Sequence, residues 1–151
     1  ELLGCKVIGF TRKKDQPMLP NEHLILRSDI ATMSLLIDES NDYQNNDALR
    51  IENWFINRKI MGDHQIQLKE TGKYRPHELG QQNTRVSFNK GCFKGQEIIA
   101  RMEYLGKLKK ETRLILHSNK EEVTKFTIIG KSYQDQEIIF SSCFGKIDSF
   151  S

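Results

Sequence analysis

The sequence predicts an α+β chain with a β-rich end, and three observations carry that expectation. Apolar residues recur at helical spacing over 51–61 and again over 98–105. Three later runs, 113–117, 123–129 and 136–143, alternate or are rich in β-branched residues, with short turn-like spacers between them. The 151 residues are 37% apolar and 28% charged, which is enough apolar material for a packed core and excludes wholesale disorder.

Taken in order, Cys5 to Phe10 reads as a short strand, and Thr11 to Asn21 as a polar connection punctuated by Pro17 and Pro20. His23 to Arg27 reads as a second strand. Ser28 or Asp29 is a candidate cap for a helix running through Ile30, Met33 and Leu36-Ile37. Asn41 to Asn46 is a polar spacer. Asp47 is then a candidate cap for a stronger helix bearing Ile51, Trp54, Phe55 and Met61, which Gly62 ends.

Asp63 to Leu79 keeps no sustained period and holds Gly72 and Pro76, so it is expected to be a long loop of the kind that often carries function. Thr84 to Phe88 alternates, with Thr84, Val86 and Phe88 on one side, as a half-buried strand does. A second helix is expected from Gly95 to Gly106, with Ile98, Met102 and Leu105 as its apolar stripe and Glu97, Arg101 and Tyr104 on the polar face. The three β-rich runs follow. The expected division is therefore 1–106 as an α+β domain and 107–151 as a small antiparallel β domain. The start at Glu1 and a strand number too small for a closed barrel both suggest a piece of a longer protein.

Composition bounds the function. No apolar run approaches the ~20 residues that span a bilayer as a helix. A net charge of +3, with acids interspersed among the bases, is not the clustered basic face of a dedicated nucleic-acid binder. The basic groups Arg12-Lys13-Lys14 and Lys107 to Lys110 read as solvated loops. Cys5, Cys92 and Cys143 form no CxxC pair and the four His residues fall at no ligand spacing, so neither a disulfide scaffold nor a zinc site is expected. A reducing cytoplasmic setting fits these thiols.

One run concentrates chemistry: Lys90-Gly91-Cys92-Phe93-Lys94-Gly95-Gln96-Glu97. Two glycines permit positive φ or close approach, and the following helix start presents unpaired N–H groups. Cys92 sits just before that start, between Lys90 and Lys94, in surroundings that lower a thiol pKa. It is a candidate nucleophile, redox thiol or metal ligand, and equally a small buried residue at a tight turn. Glu97 and Arg101 are either an ordinary i,i+4 surface pair or, with Gln96, a polar wall beside Cys92.

This run resembles the Lys-Gly-Cys-Tyr/Phe-x-Gly-Gln-Glu stretch of the YgfZ family of folate-binding proteins, which is related to the glycine-cleavage T-protein. The likeness continues through Val86-Ser87-Phe88, Ile99-Ala100-Arg101, Tyr104, Gly106 and Lys109-Lys110, and more loosely Pro76 and Leu79, over about residues 74 to 114. The resemblance implies a T-protein-like folate-binding body followed by a β-barrel. It implies binding of tetrahydrofolate or a derivative, and an accessory role toward iron–sulfur proteins that include tRNA-modifying enzymes. It makes Cys92 the reactive or cluster-facing thiol and gives Gln96, Glu97 and Arg101 a place in the folate site.

Trp54, 38 positions before Cys92, matches a folate-contacting Trp of the family; its other reading is a core residue on the stripe with Ile51 and Phe55. Phe93 stands where Tyr is common, and the family's N-terminal segment has no counterpart in this sequence. Two further readings remain open: a folate-dependent aminomethyltransferase, and an RNA module using Lys107, Lys109 and Lys110.

Overall fold

The computed structural model describes residues 6–38, 50–91 and 94–151. The chain is α+β, with two three-stranded antiparallel sheets and two helices. In the first sheet β1 (Lys6–Lys13) and β2 (Glu22–Arg27) flank β3 (Ala31–Asp38). A cross-strand cluster ties all three together. Arg12 on β1 donates to Glu22 on β2 at 2.8 Å, and the Ser34 hydroxyl on β3 donates to the same carboxylate at 2.9 Å.

The central strand corrects a sequence expectation, since the spacing of Ile30, Met33 and Leu36-Ile37 predicts a helix there. Ser28 does make the bonds of a capping residue, but in a hairpin turn. Its hydroxyl accepts from the Ile30 and Ala31 N–H groups, while its own N–H closes the turn on the Ala31 carbonyl at 2.9 Å. A short apolar run does not distinguish the two periods. Flanking strands on both sides then settle it, because β1 pairs with β3 along 31–38 and β2 pairs with it over 32–36.

Helix α1 (Ile51–Ile60) ends at Met61 and Gly62, as expected from its glycine, with Gly62 at φ +79°. The expected cap Asp47 and the spacer 41–46 lie outside the described residues. Ile56 and Lys59 are buried on α1, whereas Ile51 is exposed. Trp54 packs against the apolar cluster of Leu26, Met33 and Met61. It approaches β1 so closely that a Cβ on Gly9 would stand 2.8 Å from its ring, so only glycine fits there without a shift.

The stretch expected as a loop, 63–79, contains short 3₁₀ turns at Leu68–Glu70 and Pro76–Leu79, and Gln81–Asn83 follows as another. The expected strand at 84–88 does not form. The Arg85 and Val86 N–H groups both turn back to the Gln81 carbonyl, leaving no ladder for a partner strand. Helix α2 (Gln96–Leu105) lies between Gly95 and Gly106, as its glycines predict. Its predicted apolar stripe does not turn inward, however. No residue of α2 is buried, and Ile98 and Leu105 are 65% and 82% exposed.

The second sheet has β4 (Lys110–His117) and β5 (Thr127–Asp135) flanking β6 (Ile138–Lys146). The last two strands start later than the sequence suggests. Val123 ends a 3₁₀ turn, buried, and Gln136 takes a positive φ in the two-residue connection to β6. Neither sheet closes into a barrel.

The second sheet packs on α1 and on the 63–80 stretch. Phe55 stacks on Tyr133 with ring centroids 5.2 Å apart, and Tyr74 meets Phe144 edge-on at 4.9 Å. The Gly130 N–H donates to the buried Glu70 carboxylate at 3.1 Å. Gly130 has φ +68°, and a Cβ there would overlap the Gln65 carbonyl oxygen, so this backbone approach requires glycine.

Candidate functional site

Where α1 ends, the chain turns under the second sheet and gathers buried polar side chains. Asp63 sits at the turn, its carboxylate accepting from Arg58 at 2.7 Å and from two Arg85 nitrogens at 2.7 and 2.8 Å. Burial alone would raise its pKa, but the Arg85 and Arg58 guanidiniums outweigh that and hold it below the usual carboxylate value. The ion pairs pin the Arg85 segment to the end of α1.

A second chain of bonds crosses to β6. Lys59 Nζ donates to Ser142 Oγ at 2.7 Å, and His64 Nδ1 lies 2.9 Å from the same oxygen. Burial lowers the Lys59 ammonium to about 8. Burial, aided by the Lys59 charge, lowers His64 to about 4. His64 is therefore neutral near pH 7. With Lys59 as donor, the Ser142 hydroxyl points its proton to His64 Nδ1, which leaves the imidazole proton on Nε2.

His64 also lines a hollow of about 330 Å³ between the 3₁₀ turns and β4, together with Met61, His77, Gln82, Thr84 and Thr112. Among the described residues four buried side-chain atoms lack a hydrogen-bond partner, namely His77 Nδ1, Gln82 Oε1, Thr84 Oγ1 and Thr112 Oγ1. All four belong to the walls of this hollow. Leaving such atoms unpaired costs roughly 1–3 kcal/mol each, so the walls of the hollow carry a local polar deficit.

The placement of His77 is local. Pro76 opens its 3₁₀ turn, the Arg75 N–H is held by Glu78 at 2.8 Å, and Gly80 ends the turn at φ +68°. His77 Nε2 then lies 3.1 Å from Glu103 on α2. A carboxylate can only accept, so Nε2 carries a proton. The hollow is thus walled by residues with mixed donor and acceptor capacity, His77, Gln82, Thr84 and Thr112, whose unpaired atoms are themselves shielded from solvent. Glu111 and Arg113 at its rim neutralise each other in an ion pair.

The residues singled out from sequence fall on two separate elements. Gln96, Glu97 and Arg101 share α2, with Glu97 and Arg101 exposed and Gln96 half-buried. Lys90 and Gly91 are exposed just before it, and Gly95 holds φ +90° at its start. Cys92 and Phe93 lie outside the described residues. Trp54 is on α1 against the first sheet, half-buried. What joins the motif helix to the hollow is Glu103, through His77.

Sequence reasoning did not select His64, His77, Gln82, Thr84 or Thr112. The available signal was the long aperiodic stretch between α1 and the motif, which contains both histidines. Cys143, also on the second sheet, is a buried free thiol that burial raises to about 11, so it is inert near neutrality. Among the described residues no group of three His, Cys, Asp or Glu could hold a metal, and no helix is long and apolar enough to cross a membrane.

No family model and no solved structure matches the chain. Over 41 residues, 26% of its length, the chain is 51% identical to the tRNA-modifying protein YgfZ of Colwellia psychrerythraea. That stretch is 13% of the length of the YgfZ protein.

Proposed function

We propose that this chain is a folate-binding accessory protein of the YgfZ kind, supporting iron–sulfur enzymes and through them tRNA modification. The observation that carries the reading is the attachment of the motif helix to a polar hollow. Glu103 of α2 holds one nitrogen of His77, and His77 lines the hollow. The short likeness to a tRNA-modifying protein supports the same reading.

The chemistry suits a pterin. Its 2-amino-4-oxo edge offers adjacent N–H donors and a carbonyl, and the hollow is lined by His77, Gln82, Thr84 and Thr112, side chains of the kinds that pair with such groups. In this reading Gln96, Glu97 and Arg101 form the outer polar wall on α2, and Cys92 is the thiol presented beside it. Trp54 packs on the cluster that includes Met61, and Met61 lines the hollow, so a ligand there sits one side-chain layer from the indole.

Trp54 is the single tryptophan, so titration with tetrahydrofolate should change its fluorescence saturably. The Gln82→Ala and Thr112→Val variants should bind about tenfold more weakly, since each loses one hydrogen bond to the ligand. Calorimetry showing no heat with tetrahydrofolate would sink the proposal. Replacing Cys92 by Ala and scoring an iron–sulfur-dependent tRNA modification tests the accessory role; an unchanged level would return Cys92 to a structural residue. Formation of methylene-tetrahydrofolate from an aminomethyl donor would instead make the chain a transferase.

A further inference from the structure

The polar side chains around the hollow differ in whether their polarity is set. The Thr84 and Thr112 hydroxyls rotate, and the Gln82 amide carries a donor and an acceptor on one head. His64 has no such freedom. Its Nδ1 is taken by Ser142 at 2.9 Å, whereas its Nε2 has no hydrogen-bond partner among the described residues. Nor is Nε2 one of the four shielded atoms without a partner. It therefore opens on the hollow that His64 lines, although the residue as a whole is only 5% exposed.

We propose that His64 is the specificity-determining donor of this hollow, held in its Nε2–H form by Lys59 through Ser142, and that it selects a heterocycle presenting a carbonyl oxygen over one presenting an amino group. The inference rests on the folate reading above and adds to it which pteridines are taken, the 4-oxo forms and not the 4-amino forms.

The line of bonds runs one way. An ammonium can only donate, so Lys59 Nζ gives its hydrogen bond to Ser142 Oγ at 2.7 Å. Ser142 is wholly buried, and among the described residues its own proton has no acceptor but His64 Nδ1. A neutral imidazole that accepts at Nδ1 carries its proton on Nε2. Lys59, lowered to about 8, is still charged near pH 7, and His64, lowered to about 4, is neutral there. The other groups that bear on the pair do not interrupt the line. Asp63 is engaged by Arg58 and Arg85, Glu70 by the Gly130 N–H, and the Cys143 thiol, raised to about 11, is uncharged.

The line is also fixed in place, since Lys59 on α1 and Ser142 on β6 are both buried in the junction between helix and sheet. A donor of set polarity discriminates. Opposite a carbonyl oxygen it completes a hydrogen bond. Opposite an amino group donor meets donor, and the N–H gives up water without gaining a partner, a loss of about tenfold to a hundredfold in affinity.

Two readouts on the full chain test this. Nitrogen-15 NMR near pH 7, with the His64 signals identified by their loss in His64→Gln, should show the Nε2–H tautomer in the protein without ligand. A proton on Nδ1 would overturn the proposal whatever the ligand. Calorimetry should then give pterin about tenfold to a hundredfold tighter binding than 2,4-diaminopteridine. Lys59→Met keeps most of the stem volume and removes the charge, so Ser142 is free to reverse. His64 should then show both tautomers, and the gap should shrink to about threefold. A folded variant with the single tautomer and the full gap would overturn the role of Lys59. If that variant does not fold, the wild-type tautomer and the wild-type gap decide. Equal binding of the two pteridines by the wild type would overturn the selection and leave the folate reading standing. Failure of pterin and tetrahydrofolate alike to bind would overturn the folate reading and the selection with it.

Discussion

The two sheets are held to α1 by opposite kinds of chemistry. On the first side the buried contact is apolar, with Leu26, Met33 and Met61 closed over by Trp54 and Ala31, and an exposed hydrogen bond from Asn57 to Thr11 lies at its edge. On the second side the helix sends a buried lysine into the sheet, and Ser142, His64, Glu70 and Gly130 complete the junction with hydrogen bonds. An apolar contact tolerates sliding, because dispersion and water exclusion have little direction. A hydrogen-bonded contact fixes one arrangement and is costly when any member is lost. The polar hollow lies on the side where arrangement matters, with His64 serving both the junction and the hollow wall.

This contrast can be broken from either side. Met33→Ala empties a fully buried site and should cost about 4 kcal/mol in the denaturant midpoint, a loss that pH leaves unchanged. Asp63→Ala leaves the Arg58 and Arg85 guanidiniums unmatched. It should cost about 3 kcal/mol, the lower end for a buried pair because Arg85 is half exposed. That variant should also loosen the hollow, read as faster amide exchange at residues 81–86.

The pH profile sharpens the comparison. The His64 imidazole titrates near 6.5 when unfolded and near about 4 when folded. Between those values the unfolded chain binds the extra proton, so stability falls as pH drops from about 6.5 to about 4, by up to roughly 3 kcal/mol. Melting temperature against pH should show that slope, and His64→Gln should flatten it in the same window. An unaltered slope in the variant would remove His64 as its source.

The smallest effect belongs to Ser142→Ala. It takes one hydroxyl from between Lys59 and His64 and should cost about 2 kcal/mol, with the Lys59 ammonium pushed still lower. Unfolding followed by Trp54 fluorescence reports the first sheet, so this variant should separate the fluorescence transition from the loss of β signal in circular dichroism. Coincident transitions would show that the two sheets unfold as one unit.

The amino-acid sequence by itself determined what depends on neighbours a few residues away. Both helices were legible, because Gly62, Gly95 and Gly106 punctuate them locally, and so was the β-rich end with its turns. The run from Lys90 to Glu97 was legible as a motif from its order alone. What needed a distant partner was not. The stretch 31–38 became a strand because β1 and β2 pair with it, and 84–88 failed to become one because the Gln81 carbonyl took its N–H groups.

The stripe Ile98–Leu105 has helical period, yet periodicity cannot say whether anything covers it. The same holds for the site. His64, His77, Gln82, Thr84 and Thr112 are unremarkable in sequence. They converge only because Asp63 pins Arg85 and Glu103 holds His77, bonds that join residues more than twenty positions apart.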